Sequence, residues 1–91
     1  MPFYREQILY VLIVNNMKEE IIKILSELRP EFDFSQEVDF IEEGMLDSFD
    51  IVSLVDEIET HFGVAISGTD VIPENFCSVN AICETIKRNS K

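Results

Sequence analysis

The sequence predicts an all-α fold with three main helices and one short helix. Apolar residues recur at i, i+3, i+4 and i+7 in three separate segments, which is the spacing of one buried helix face. The chain has 91 residues, enough for a single domain. Its seven Phe and its hydrophobic fraction of 46% provide the side chains for a core. Together these observations predict a small helical bundle.

The first helix is expected to start near Met17 and to end at Pro30, because the residue before a proline is disfavoured in the helical conformation. Its apolar face consists of Ile21, Ile24, Leu25 and Leu28. The apolar run at residues 8–14 is too short to cross a bilayer. Residues 1–16 are expected to be an N-terminal extension, which either packs on the domain as a short element or lies upstream of a natural start at Met17. The domain itself is expected to span residues 17–91.

Residues 30–46 form a long connection to the second helix. Apolar side chains recur through it, at Phe32, Phe34, Val38, Phe40, Ile41, Met45 and Leu46. We therefore expect a packed loop that lies over the bundle, and not a flexible linker.

The second helix is expected to begin near Asp47 and Ser48 and to run to about Phe62, where Gly63 provides a C-terminal stop. At 100° per residue, its core stripe consists of Ile51, Leu54, Val55, Ile58 and Phe62. Phe49 and Asp56 point nearly opposite, and Val52 lies at the border of the stripe.

After Gly63, residues 73–76 are expected to form one short helical turn with Pro73 near its start. Ser78 is the expected N-cap of a last helix, whose apolar face consists of Val79, Ile82, Cys83 and Ile86. Cys77 and Cys83 are expected to be reduced thiols, as in a cytoplasmic protein.

The chain is strongly acidic, with a net charge of −11. Fourteen Asp and Glu lie between Arg29 and Lys87, without any Lys or Arg among them. Such a surface repels nucleic acid and anionic lipid and attracts basic protein surfaces. The alternative is that the acidic residues only keep a small protein in solution.

Residues 42–50 bring a glycine, an acid and a serine to the start of the second helix. A calcium-binding EF-hand is excluded, since Ile41 would have to be the third ligand. His61 is thirteen residues beyond Ser48, about 20 Å along the helix, so a direct serine–histidine relay is excluded. A helix N-terminus instead favours an anion, which would suit a phosphodiester on Ser48. Asp47 is placed to hold a metal ion or to orient the hydroxyl in a partner enzyme.

The segment Gly44-Met45-Leu46-Asp47-Ser48-Phe49 resembles the Gly-x-x-Asp-Ser-Leu signature of acyl carrier proteins, whose serine receives 4′-phosphopantetheine. The resemblance covers residues 17–89 and implies an acyl-carrier-protein-like four-helix bundle. It also implies a protein that is not an enzyme and has no catalytic residues and no metal. Such a protein holds an acyl or aminoacyl group as a thioester on the arm at Ser48, and Asp47 supports the modification. The sequence departs from the family at Phe49, where leucine is common, and at Asp56, where many fatty-acid carriers have methionine.

The resemblance implies three kinds of partner: a phosphopantetheinyl transferase, an AMP-forming ligase that activates acyl or aminoacyl groups, and acyltransferases or synthases. The expected partner-binding residues on the second helix are Phe49, Asp50, Val52, Asp56, Glu57 and Glu59. We expect a cytoplasmic monomer that neither binds nucleic acid nor inserts into a membrane.

Two alternatives stay open. The segments 46–49 and 73–76 look more like the discrete D-alanyl carrier proteins, which are loaded by AMP-forming ligases. An unmodified acidic adaptor with a degenerate carrier fold would keep the acidic helix but would not need Ser48. A small metal-binding protein would need carboxylates that converge in space. The spacing of the acids does not fit a calcium-binding loop, so it does not support this class of protein.

Overall fold

The computed structural model describes residues 16–90. Three α-helices are present in this part of the chain: α1 covers residues 16–28, α2 is Ser48–Phe62 and α3 is Val79–Arg88. Two single 3₁₀ turns, Gly68–Asp70 and Pro73–Asn75, lie between α2 and α3. Residues 16–90 contain no strand, so the all-α prediction is confirmed. The short fourth helix of the predicted bundle is present only as the turn at Pro73–Asn75.

The predicted N-terminal extension lies outside the described residues, apart from residue 16. The domain boundary at Met17 therefore stays a prediction. Met17 itself packs against the core, where its Sδ atom lies 3.3 Å from the Cys83 Sγ atom. Among residues 16–90, no helix has the length and apolar character that would let it cross a membrane. The cytoplasmic location also stays a prediction.

The core lies where the three helices meet. Fully or almost fully buried side chains come from α1 (Ile21, Leu25), α2 (Leu54, Ile58) and α3 (Ile82, Ile86). Each such side chain contributes about 1.5–3 kcal/mol through burial alone. Val55 and Phe62 of the predicted stripe on α2 are partly buried against this core. The helical spacing of the apolar residues therefore identifies the faces that pack together.

The connection between α1 and α2 contributes aromatic side chains to the same core. Phe34 and Phe40 are each 1% exposed, and their rings pack edge-to-face with centroids 5.0 Å apart. Phe32 packs edge-on against Phe34 with a centroid distance of 6.3 Å. Phe34 and Phe40 belong to the same buried cluster as the helix residues, and this burial holds the connection against the helices.

Backbone hydrogen bonds hold the last part of this connection in place. The Phe40 N–H donates to the Cys77 carbonyl at 2.8 Å, just before α3. The Phe40 carbonyl then accepts from the N–H groups of Met45 and Leu46, at 2.8 and 3.1 Å. Gly44 closes this turn with a φ of 72°, a conformation that glycine adopts without strain. Because Met45 and Leu46 are buried, the chain enters α2 in a defined direction.

The connection after α2 is also tied down. Gly63 ends the helix with a φ of 66° and donates its N–H to the Glu59 carbonyl. The Glu59 carboxylate accepts from the Ile66 N–H at 2.8 Å. Near the end of α3, Asn89 accepts from the Ser67 N–H at 2.9 Å. The first part of this connection is therefore hydrogen-bonded both to α2 and to the residue that follows α3.

Candidate functional site

Ser48 is the first residue of α2, and its side chain is exposed. Within residues 16–90, its hydroxyl has no hydrogen-bonding partner. The N–H groups of a first helical turn carry a partial positive charge, which stabilises a nearby anion. The hydroxyl is thus open to another protein, and a phosphate attached to it would be in a favourable field.

Asp47 and Asp50 cap the helix on either side of Ser48. The Asp47 Oδ1 atom accepts from the Asp50 N–H at 2.9 Å, and the Asp50 Oδ2 atom accepts from the Asp47 N–H at 3.1 Å. This reciprocal pair is a capping box, in which Asp takes the third position that Glu or Gln usually occupies. The box satisfies two N–H groups and closes the turn that contains Ser48.

Arg29, just after α1, provides the positive charge at this turn. Its Nη1 atom donates to the Asp50 Oδ2 atom at 2.6 Å, and its Nε atom donates to the Glu31 carboxylate at 3.1 Å. The guanidinium carbon also lies 5.3 Å from the centroid of the Phe32 ring. The Asp50 side chain is only 11% exposed, and that of Arg29 is 28% exposed. The ion pair is therefore partly shielded from water.

The hydrogen bonds of the capping box affect the charges beside Ser48. The N–H of Asp50 lowers the pKa of Asp47, with smaller contributions from the N–H of Phe49 and the charge of Arg29. The hydrogen bond to Glu31 raises the pKa of Arg29, and the Asp50 carboxylate adds to this effect. At neutral pH the turn therefore combines an ionised Asp47 carboxylate with a guanidinium cation.

The outward side of α2 carries apolar and acidic side chains next to Ser48. Phe49 is 79% exposed and Val52 is 65% exposed, in the directions that the helical spacing predicts. Asp56 and Glu57 are also exposed. Large exposed apolar side chains that lie close together are typical of a surface that contacts other proteins.

Two acids that we expected to bind partners have other contacts in the structure. Asp50 is buried against Arg29 and the helix cap, and Glu59 is half-buried and bonds to Ile66. Asp50 therefore does not fit a docking role, and Glu59 fits it poorly. The contact of Arg29 with the helix cap was not predicted from the sequence. Two features of the sequence could have indicated this contact: the Asp-x-x-Asp spacing of a capping box, and the position of Arg29 as the last cation before a long acidic interval.

His61, the single histidine of the chain, lies in the last turn of α2 and not at this site. Its Nε2 atom lies 2.9 Å from the Glu20 carboxylate of α1, and both side chains are substantially exposed. This pair connects α1 and α2 at the surface. His61 therefore lies at the opposite end of α2 from the exposed Ser48 hydroxyl.

Comparison with known proteins gives two related results. Residues 18–86 match the family described as "Phosphopantetheine attachment site". The chain belongs to this family of carrier proteins. It is also 33% identical over 73 residues to a D-alanyl carrier protein of Streptococcus mutans serotype c (strain ATCC 700610 / UA159), and the aligned region covers 78% of this chain and 91% of that protein.

Carrier proteins of this family are not catalysts, and they carry 4′-phosphopantetheine covalently on a serine. The group supplies a thiol at the end of a flexible arm, which forms thioesters with acyl groups. In this carrier protein, the exposed Ser48 hydroxyl fits such an attachment, because no hydrogen bond to residues 16–90 has to be broken first. The first helical turn would stabilise the charge of the phosphodiester.

The lowered pKa of Asp47 predicts a change in acid stability. An Asp with a lowered pKa in the folded state stabilises the protein above its ordinary value of 3.8, and this contribution is lost as the pH falls through the lowered value. Asp47→Asn keeps an N-cap acceptor but removes this titration. We therefore expect the free energy of unfolding of the variant to fall less steeply than that of the wild type between about pH 5 and pH 2.

Urea denaturation at a series of pH values measures this slope. Glu57→Gln removes an acid from the same helix without changing the cap, and it should keep the steep loss of stability. Equal slopes for Asp47→Asn and the wild type would contradict the expectation.

Proposed function

We propose that Ser48 carries 4′-phosphopantetheine and that the protein holds an acyl or aminoacyl group as a thioester for partner enzymes. The main support is the exposed Ser48 hydroxyl, at a helix N-terminus within the family-matched residues 18–86. Asp47 supports the modification, since its ionised carboxylate lies beside Ser48 and is exposed. The carrier thus supplies a tethered substrate at high effective concentration, and the partner enzymes do the chemistry.

The modification needs a phosphopantetheinyl transferase and coenzyme A. The Ser48 hydroxyl oxygen forms a bond to the phosphorus that bears the pantetheine, and adenosine 3′,5′-bisphosphate leaves. The hydroxyl proton passes to a base of the transferase. Asp47 either orients the hydroxyl in this complex or holds a metal ion of the transferase.

Intact-protein mass spectrometry tests this assignment. After incubation with a broad-specificity phosphopantetheinyl transferase and coenzyme A, we expect the wild-type protein to gain one phosphopantetheine group. Ser48→Ala should gain none, because the nucleophilic oxygen is gone, whereas Ser53→Ala, a matched serine variant on α2, should be modified fully. If Ser48→Ala is modified, the attachment site is another residue. An unmodified wild type, beside a control carrier that is modified, would refute the proposal.

We propose that partners dock on the outward face of α2, at Phe49, Val52, Asp56 and Glu57. The support is the exposure of two apolar side chains next to two acids on the helix that begins with Ser48. Acids attract basic partner surfaces and speed their encounter, and salt weakens this attraction. Asp50 is left out of this surface, and Glu59 is at most a minor part of it, because of the contacts described above.

Transferase kinetics test the docking face. Phe49→Ala should raise the KM for the carrier about 5- to 10-fold, because large aromatic side chains often contribute most of the binding energy at an interface. Asp56→Asn should raise the KM less and should reduce its dependence on salt. Glu84→Gln, which removes an exposed acid from α3, is the control and should leave both quantities unchanged. Wild-type KM values for Phe49→Ala would exclude Phe49 from the interface.

The cargo is proposed more narrowly from the comparison with the Streptococcus mutans protein. Its name supports an aminoacyl cargo such as D-alanine, loaded by an AMP-forming ligase. In that reaction ATP and the carboxylate give an acyl adenylate and pyrophosphate, and the thiol of the arm then displaces AMP. The unmodified adaptor is not proposed, since the match to an attachment-site family does not support it.

Loading assays with the modified protein test the cargo. AMP-forming ligases are offered D-alanine, L-alanine, other amino acids and fatty acids, and the thioester is detected as an added mass that hydroxylamine removes. We expect D-alanine to be loaded, and Ser48→Ala to remain unloaded with every substrate. Loading of fatty acids without any amino acid would contradict the aminoacyl proposal and leave the acyl proposal standing.

A further inference from the structure

We propose that Arg29 is a positioning residue for the modification of Ser48 and that it acts through the buried carboxylate of Asp50. This inference rests on the proposed function of Ser48. Neither residue hydrogen-bonds the Ser48 hydroxyl, so their effect is on the backbone that carries it.

Asp50 connects two parts of the molecule. Its Oδ2 atom accepts from Arg29 at 2.6 Å and from the Asp47 N–H at 3.1 Å. Asp47 in turn accepts from the Asp50 N–H at 2.9 Å. Ser48 lies between these two acids in the chain, so both hydrogen bonds of the box restrict its backbone. The ion pair to Arg29 joins this restricted turn to the end of α1.

The capped turn also concentrates negative charge. Asp47 and Asp50 bring two carboxylates into one helical turn, and their mutual repulsion opposes the closed box. The sequence contains no other Lys or Arg from residue 30 to residue 86. Since the Asp50 side chain is only 11% exposed, water solvates its charge poorly. Arg29 is therefore the group that balances Asp50, and its loss would leave a buried, unpaired carboxylate at the turn.

Arg29 is itself held in place. Its N–H donates to the Leu25 carbonyl of α1 at 2.9 Å. Its side chain lies over the Phe32 ring and bonds to Glu31 through Nε, which leaves Nη1 for Asp50. A planar guanidinium reaches two carboxylates at once, whereas the ammonium group of Lys is a single point charge. Arg29 therefore transmits the position of α1 to the first turn of α2.

This arrangement predicts an effect on the chemical step more than on docking. The transferase needs the serine oxygen in line with the phosphorus, and a displacement of about 1 Å can cost about a hundredfold in rate. Val52, Asp56 and Glu57 lie beyond the capped turn and keep their place on α2. Phe49 lies within the turn but keeps its side chain, so a loosened cap should lower kcat more than it raises the KM for the carrier.

The test is transferase kinetics on four full-length proteins: wild type, Arg29→Gln, Arg29→Lys and the double variant Arg29→Gln/Asp50→Asn. We expect Arg29→Gln to lower kcat about tenfold with a KM within about twofold of the wild type. Arg29→Lys should recover part of the loss, since it keeps the charge. The double variant should also recover kcat to within about threefold, because Asn at position 50 removes the unpaired charge but keeps an acceptor for the Asp47 N–H.

Ser78→Ala is the control for a purely structural effect. It removes the side chain that caps α3, where the Ser78 Oγ atom accepts from the Ala81 N–H at 3.0 Å. The loss of a cap also destabilises the fold, but at a distance in the chain from Ser48. Assayed well below every unfolding midpoint, Ser78→Ala should keep the wild-type kcat.

The outcomes separate the two proposals. If the wild type is modified and Arg29→Gln has the wild-type kcat, the positioning role is wrong and the carrier function stands. The positioning role is also wrong if Ser78→Ala loses as much kcat as Arg29→Gln, or if the double variant is slower than Arg29→Gln. A wild type that is never modified overturns both proposals.

Discussion

The carboxylate of Asp50 links the end of α1 to the start of α2. It accepts hydrogen bonds from the cation that follows α1 and from the N-cap of α2. A buried carboxylate in a chain with a net charge of −11 is stable only with such partners. The same contact joins the end of α1 to the capped turn that exposes Ser48, while the apolar core packs the helices together.

The connection from α1 to α2 has a second role besides joining helices. Phe34 and Phe40 fill the core, and the hydrogen bond from Phe40 to the Cys77 carbonyl fixes the connection against the segment before α3. The turn that ends at Gly44 then directs the chain into α2. The serine is therefore exposed on a backbone that is held by buried side chains on one side and by Arg29 on the other.

A carrier protein divides its work between one residue that is modified and a surface that others recognise. Here the proposed attachment residue and the proposed docking surface lie on the same helix: the core side of α2 packs through Leu54 and Ile58, and the outward side presents Phe49 and Val52. The acidic charge has two uses in this arrangement. Exposed acids suit the attraction of basic partners, whereas Asp50 and Glu59 hold the fold through hydrogen bonds.

The sequence by itself determined the bounds of α2, the buried faces of the helices and the Asp-Ser segment that places the chain in its family. These features depend on residues close together in the chain: apolar spacing of three and four, a cap at Asp47 and a glycine at position 63. Only the tertiary structure decided which acids turn inward. Arg29 and Asp50 are 21 residues apart, and the bond that Glu59 accepts crosses the end of its helix. Helical spacing predicts the direction of a side chain but not the group that it meets, because that depends on how the connections fold back.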